Sequence, residues 1–404
     1  MRLIHTADWH LCDTLGRHDR TADLRQRVER VAELCEGHAA DVLLIAGDLF
    51  SEQASVRDMT EALAHLRKTF TPLFARGGTV LAITGNHDHE RTGRIDLAQV
   101  GMSLAAPTSH AAALPGGRMY LLNGNAVATL TTAAGGRVQF VCVPYPFASR
   151  YQLSAADGYR SKEEENRLLE GKVAEWIAGV PARPGFDPTL PTVLTAHLHV
   201  RGAQCSSRYT LTERDDVCTD FATLNPAWAY VALGHIHTPQ AVGGAAHVRY
   251  PGSLDRLDFG ETHAGHGVLL VDIDGPNPVT PVHLPIPATP FHTVELTDPE
   301  AALPTLAEKY PDRDTAFVRL TVHPPAGGTS RDEIARRLKA VFPRWHALAW
   351  ADADRPADAQ IGGVVATAGF EPTVRTYLAE RLADDPDRAA VLALAEMFLT
   401  GGGS

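Results

Sequence analysis

Cysteine is scarce in this chain: five in 404 residues, at positions 12, 35, 142, 205 and 218. The number is odd and no two are spaced as CxxC. That excludes a disulfide framework and a structural zinc knuckle, and fits a reducing cytosol. No apolar run approaches the ~20 residues of a membrane helix, so no membrane is expected among the partners. The N-terminus, Met1-Arg2-Leu3-Ile4-His5, lacks an apolar h-region. No signal peptide is therefore expected, and the chain reads as cytoplasmic. Basic residues are also in deficit, with 37 Lys and Arg against 48 Asp and Glu, a net charge of −11. Such a balance argues against bulk binding of nucleic acid, whose phosphates favour a basic surface.

What is present is an ordinary globular composition, 44% hydrophobic and 21% charged. At ~150 residues per domain the length suggests two or three domains. The unusual count is 19 histidines, which points to metal or acid–base chemistry. Over the first ~280 residues, short apolar runs alternate with helix-period segments, the mark of an α/β domain. Strands are expected at 2–6, 41–46, 79–84, 119–122, 138–143, 192–196, 230–234, 248–250 and 268–272. Leu24, Val28, Val31, Leu34 and Cys35 recur at helix spacing, as do Val56, Met59, Leu63, Leu66 and Phe70. Ser161 followed by Glu164 predicts a capping box opening a helix that runs to Ala178. A proline-rich stretch, 274–290, is the linker candidate. Beyond it a β-α-β-α-β pattern is read as strand 292–296, helix 300–309, strand 316–322, helix 331–341 and strand 345–351. Residues 352–363 are loose and acidic, and 371–400 carry two short helical patterns. No internal repeat is found, and the Gly401-Gly402-Gly403-Ser404 tail is given no role in the fold.

The chemistry gathers where apolar strands end. Asp8-Trp9-His10 follows the first strand, Gly47-Asp48 the second, and Gly85-Asn86-His87-Asp88 the third. His197, with His199, and Gly234-His235-Ile236-His237 follow two later strands. In open α/β sheets, ligands bind outside the carboxyl ends of strands. Taken singly, each string is also a common turn, but five in series at strand ends form a site. Two aspartates, one asparagine and four histidines suit two divalent transition metals. The mixed O/N set favours Mn, Fe or Zn over Mg or Ca. A bridging carboxylate such as Asp48 could hold two ions ~3.5–4 Å apart, where they acidify a water and clamp a phosphoryl group.

This series resembles the calcineurin-like metallophosphoesterases. The fuller strings His5-Thr6-Ala7-Asp8-Trp9-His10-Leu11, Ala46-Gly47-Asp48-Leu49-Phe50 and Tyr250-Pro251-Gly252-Ser253 resemble the SbcD family of nuclease subunits. The motifs cover residues ~1–275; beyond them the likeness is one of layout. The resemblance implies an α/β fold: a metallophosphoesterase β-sandwich flanked by helices, a small α/β cap domain and C-terminal helices. The corresponding divisions are a nuclease domain at 1–280, a DNA-binding cap at 288–355 and a docking segment for an SbcC-type ATPase at 370–404. It also implies that Asp8, His10, Asp48 and His237 hold one ion, and that Asp48, Asn86, His197 and His235 hold the other. Manganese is the implied metal. His87 would protonate the leaving oxygen or stabilise the transition state, with Asp88 orienting it. The implied activity is a 3′→5′ exonuclease on duplex ends and an endonuclease on single strands or hairpins. Alternatives are a small-substrate metallophosphatase or cyclic-nucleotide phosphodiesterase, and a non-catalytic scaffold stabilised by metals. Two departures stand out: Cys12 where many relatives have Gly, and Ser51-Glu52-Gln53 where archaeal relatives carry a histidine.

Several surfaces remain. The 56/59/63/66/70 stripe either covers its own sheet or, with Leu97, Val100 and Leu104, forms a homodimer seam. Val374, Tyr377, Leu378 and Leu382, then Val391, Leu394, Ala395, Phe398 and Leu399, form amphipathic patterns suited to partner docking. Arg17, Arg20, Arg91, Arg94, Arg150, Arg160 and Lys162 are the cations available for DNA phosphates, contacts that would position rather than specify.

Overall fold

The computed structural model describes residues 1–88, 112–154, 159–205, 216–224, 228–261, 265–325 and 327–351, with short pieces at 388–389 and 391–394. Two sheets form a sandwich. The first has six strands in the order Val282–Pro285, Gly267–Asp272, Arg2–Thr6, Val42–Ala46, Thr79–Ile83 and Met119–Leu122. The second has seven, in the order Gln240–Val242, Ala245–Tyr250, Tyr230–Gly234, Thr192–His197, Arg137–Val143, Ala126–Thr131 and Ala112–Leu114. The strands that end at the motifs run parallel to their neighbours, Arg2–Thr6 with Val42–Ala46 with Thr79–Ile83, and Thr192–His197 with Tyr230–Gly234. Their carboxyl ends therefore share an edge.

Strand period two builds the layers. Leu3, Val42, Leu44, Leu81 and Ile83 face the second sheet's Phe140, Val193, Tyr230 and Ala232 across the sandwich. Ile4, Leu43, Ile45, Val80 and Ala82 point the other way, onto helices Thr21–Gly37 and Val56–Thr69. The second sheet's outer face, with Val141, Leu194, Val231 and Leu233, packs on Val173 and Ile177 of helix Lys162–Ala178. These strands are apolar on both faces because both faces are covered.

Three local expectations change. Ser161 caps its helix by accepting from Glu164 N–H at 3.2 Å, but the Glu164 carboxylate takes the Arg160 N–H at 2.6 Å, so the box is not reciprocal. The proline-rich stretch is not a free linker. Val282–Pro285 pairs antiparallel with Gly267–Asp272 as an edge strand, where proline is tolerated. Thr289 N–H and Oγ1 are bound by Asp255 at 2.6 and 2.5 Å. The expected helix 300–309 is broken into Pro299–Ala302, a 3-10 turn Leu303–Thr305 and Leu306–Lys309, since Pro304 offers no N–H to continue the helix.

The cap is a three-stranded parallel sheet, Phe291–Leu296, Phe317–Val322 and Trp345–Trp350, with its own core around Leu320, Ile334, Leu338 and Phe342. It is tied to the hairpin of Thr14–Leu15 and His18–Asp19 and to helix Thr21–Gly37. His18 Nε2 donates to Trp345 O at 3.0 Å, Arg17 stacks 3.9 Å over Trp345, and Arg344 pairs with Asp23.

His5 is wholly buried in the sandwich, its Nε2–H donating to Leu233 O at 3.2 Å and its Nδ1 accepting from Tyr230 Oη at 2.9 Å. Burial pushes its pKa down to about 3. An unfolded histidine, near 6.5, binds a proton that the folded one refuses. Stability should therefore fall as pH drops from about 6.5 towards 3, by up to roughly 5 kcal/mol from this residue. His5→Phe loses two hydrogen bonds and should be less stable than wild type at pH 7. By urea unfolding at pH 4 the gap should shrink or reverse; a constant gap would show that His5 does not titrate this way.

Candidate metal centre

The loop after the first strand runs beside the loop after the second. Asp8 N–H donates to Gly47 O at 3.0 Å, Trp9 N–H to Asp48 O at 2.8 Å and His10 N–H to Asp48 O at 3.0 Å. Trp9 turns inward, fully buried and stacked on Phe70. Asp8 and His10, on either side of it, turn to the sheet edge. Asp8, His10, Asp48 and His235 all have positive φ (53°, 44°, 50° and 97°). Such strain in non-glycine residues persists only where the surroundings demand it. Three glycines permit the crowding. A Cβ on Gly47 would lie 2.0 Å from His197 Nδ1, one on Gly85 2.1 Å from Asp48 Oδ1, and one on Gly234 1.9 Å from Ala46 O.

The structure brings seven donors together. Asn86 Oδ1 lies 3.0 Å from His197 Nε2 and 3.0 Å from His235 Nδ1. Asp48 Oδ2 is 3.4 Å from His197 Nε2 and 3.6 Å from His10 Nε2. His237 Nε2 is 4.0 Å from Asp8 Oδ1, and Asp8 accepts the His235 backbone N–H at 3.1 Å. Asp8, His10 and His237 form one close set of donor atoms; Asp8, Asp48 and His197 form another. Ligands about 2.1 Å from an ion lie roughly 3–3.5 Å apart, so the spacing fits divalent metals.

The electrostatics agree. His197 donates Nδ1–H to Ala46 O at 2.8 Å, which turns Nε2 towards the oxygens of Asn86 and Asp48. His10 Nε2 is buried with no hydrogen-bond partner. Burial opposes charge on His197, but the Asp48 carboxylate outweighs it and raises the pKa to about 9. At His237 burial is likewise outweighed, by Glu261, again to about 9. Burial holds His10 well below its usual value against the pull of Asp48. Burial raises Asp8, whereas at Asp48 the neighbouring His197 overcomes burial and keeps the carboxyl well below its usual range. Buried oxygens facing imidazole nitrogens in this way gather positive charge.

Residues 1–239 match the calcineurin-like phosphoesterase family. A relative from Rhodobacter capsulatus, the SbcD component of the SbcCD nuclease, is 30% identical, covering 71% of this chain and 69% of its own. The chain belongs to the calcineurin-like phosphoesterases, in the SbcD nuclease-subunit family. The corresponding SbcD component from Escherichia coli K12 is 27% identical over 72% of this chain and 69% of its own. The DNA double-strand break repair protein Mre11 of Aeropyrum pernix is 26% identical over 73% of this chain and 63% of its own. As a family member, this SbcD-type chain is a metal-dependent phosphoesterase, and its sandwich with flanking helices is the family fold.

Not every motif residue does what the family pattern suggests. Asp88 does not orient His87. Its two oxygens are taken by the backbone N–H groups of Leu49 (3.0 Å), Phe50 (2.8 Å) and Gly85 (2.9 Å), so it clamps the second and third loops together. Among the described residues, the carboxylate paired with the His87 ring is Glu52, 3.7 Å from Nδ1. Two residues outside every motif matter instead: Glu261, 2.7 Å from His237 Nδ1, and Asp216, 2.6 Å from His235 Nε2. Both lie in segments without periodicity. Only the dependence of a ligating imidazole on a second partner hinted that such carboxylates must exist. His199 joins Asp216 (3.4 Å) and Cys218 (3.5 Å) rather than the donor cluster. Burial pushes the Cys12 thiol up to about 12, too high for a reactive thiolate.

The cations are largely committed elsewhere. Arg20 is fully buried against Asp255 at 3.1 Å and is no DNA contact. Arg150 holds Thr84 Oγ1 at 2.6 Å and the Tyr145 carbonyl. Arg17, Arg160 and Lys162 are exposed. Met59, Leu63, Leu66 and Phe70 are buried against their own sheet, leaving Val56 exposed. Arg91, Arg94, Leu97, Val100 and Leu104 lie outside the described residues, as does the C-terminal segment apart from the pieces named above. Among the described residues, no helix is long and apolar enough to cross a membrane.

The donors open onto a cleft of about 510 Å³, walled by Asp13, Thr14, Leu15, Glu52, Gln53, Leu257 and Asp258. His87 stands at its mouth, one-third exposed, with its ring 4.9 Å from that of His10.

Proposed function

We propose that this chain is the nuclease subunit of an SbcCD-type complex, a DNA phosphodiesterase using two divalent ions, manganese in preference. The observation that carries the reading is the convergence of seven O and N donors in an SbcD-family chain, five of them lining one cleft together with His87. Asp8, His10, Asp48 and His237 would hold one ion, and Asp48, Asn86, His197 and His235 the other, with Asp48 shared. Such ions neutralise phosphoryl oxygens and make a water acidic enough to lose its proton near neutral pH.

The chain's own groups supply the remainder. Asp48 Oδ1 accepts the His87 N–H at 2.8 Å, so the shared carboxylate also fixes the backbone of the acid. His87, the most accessible imidazole of the cluster, can hand a proton to the departing sugar oxygen. His87→Ala should lower DNA cleavage about 10²-fold while leaving metal uptake unchanged. Undiminished cleavage would show that this ring is not the acid. The substrate test is a manganese-supplemented digestion of end-labelled duplex and hairpin DNA. Shortening from 3′ ends and opening of hairpins are expected. Hydrolysis of small phosphoesters alone, even with an SbcC-type ATPase added, would overturn the nuclease reading.

That small-phosphoester reading draws on one observation. The described cleft lining includes Asp13, Glu52, Asp258 and Glu261 but no Lys or Arg. A nuclease with such a cleft binds DNA weakly and in a salt-sensitive way on its own, and draws its grip from the cap and partner. We assign the cap at 288–355 to DNA contact, 370–404 to ATPase docking, and the working state to a cytoplasmic homodimer. In the tail, Val391 and Leu394 are 37% and 54% exposed. Deleting 371–404 should abolish co-purification with the ATPase and spare manganese-dependent activity; retained co-purification would refute the docking assignment.

A further inference from the structure

Asp216 is 2% exposed, and four groups converge on its carboxylate. Oδ1 accepts the Tyr145 hydroxyl at 2.9 Å and the Val217 N–H at 2.8 Å. Oδ2 lies 2.6 Å from His235 Nε2 and 3.4 Å from His199 Nδ1. The other nitrogen of His235, Nδ1, lies 3.0 Å from Asn86 Oδ1 among the donor atoms. His237 is turned the other way round: Glu261 takes Nδ1, and Nε2 faces Asp8. Each half of the centre thus has one imidazole backed by a buried carboxylate, through opposite ring nitrogens.

We propose that Asp216 is the positioning residue of the Asn86–His197–His235 half-site. It fixes the His235 proton on Nε2 and so presents Nδ1 to a metal. The inference rests on the two-ion reading above. The acceptor count explains why a carboxylate is needed. Both Asp216 oxygens receive protons, so an amide in its place meets a donor with a donor: its NH₂ opposes either the His235 N–H or the Val217 N–H. An asparagine therefore either frees His235 to protonate Nδ1 or breaks the loop that holds the residue. Tyr145 extends the support, its ring lying 5.7 Å from that of His235 and 6.3 Å from that of His197.

Titration of the metal-free full chain with Mn²⁺, followed by calorimetry, tests the proposal. Wild type should take up two ions. Asp216→Asn should weaken one site about 10–100-fold and spare the other. Glu261→Gln should weaken the opposite site, so that the double variant weakens both. Two sites of wild-type affinity in folded Asp216→Asn, or equal weakening of both, overturn the proposal. If Asp216→Asn does not fold, wild type decides: ¹⁵N-histidine spectra of the Zn²⁺-loaded chain, assigned with His235→Gln, should show His235 ligating through Nδ1 with the proton on Nε2. Ligation through Nε2 overturns the proposal. A wild type that binds fewer than two ions overturns the two-ion reading first, and this one with it.

Discussion

Asp48→Asn should bring phosphodiester hydrolysis below detection, a loss of at least about 10⁴-fold, since on the proposed reading this carboxylate would be shared by both ions. Asp48 is 1% exposed, and His10 and His197 both face its Oδ2. The amide keeps the shape and removes the charge. One of its two positions must then present N–H to an imidazole nitrogen or to the His87 N–H, which Oδ1 accepts at 2.8 Å. The variant also loses the charge that raises the His197 pKa against burial. Metal content after dialysis should fall from two ions per chain to one or none, with circular dichroism unchanged. Retention of two ions together with wild-type turnover would show that Asp48 is not shared.

Gly85→Ala should come close to the same result without replacing a donor. The added Cβ would lie 2.1 Å from Asp48 Oδ1 and 2.5 Å from Asp48 N. Backbone does not rotate away as a side chain does, so the second and third loops must separate by about an ångström. Misplacement on that scale costs about 10²-fold for one group. Here Asp48 and Asn86 move together, and a loss of about 10³-fold is expected. Overpacking should also lower stability by roughly 1–3 kcal/mol, and more if the Asp88 clamp opens. The measurements are turnover on a small phosphodiester and thermal unfolding in chelator. A melting point and turnover like those of wild type would mean that the loops have slack the structure does not show.

Much of the centre was legible because each donor set is local. In Asp8-Trp9-His10 the middle residue enters the core and the outer two, both at positive φ, reach the edge. Gly85-Asn86-His87-Asp88 places its glycine where Asp48 crosses and its donors just beyond. Strand ends were readable because the runs are apolar on both faces. Asp88 was misread because its neighbour in sequence is His87, while its partners Leu49 and Phe50 lie almost 40 residues away. Arg20 looked like a free cation beside a motif, yet Asp255, 235 positions on, buries it.

Composition, the strand-end motifs and their glycines thus determined by themselves the character of the site: oxygen and nitrogen donors enough for two metals, and an imidazole beside them. Spacing along the chain decides such features, because one strand end carries each set. Only the tertiary structure decided how the sets meet. Two sheets rather than one supply the edge, with His197, His235 and His237 reaching across to Asp8, Asp48 and Asn86. Pairing between distant segments also chose which nitrogen of each imidazole faces the site, through Ala46 O, Asp216 and Glu261. A hydrogen-bond partner brought in by folding leaves no periodicity in the sequence, and so the orientation of the donors became visible only in three dimensions.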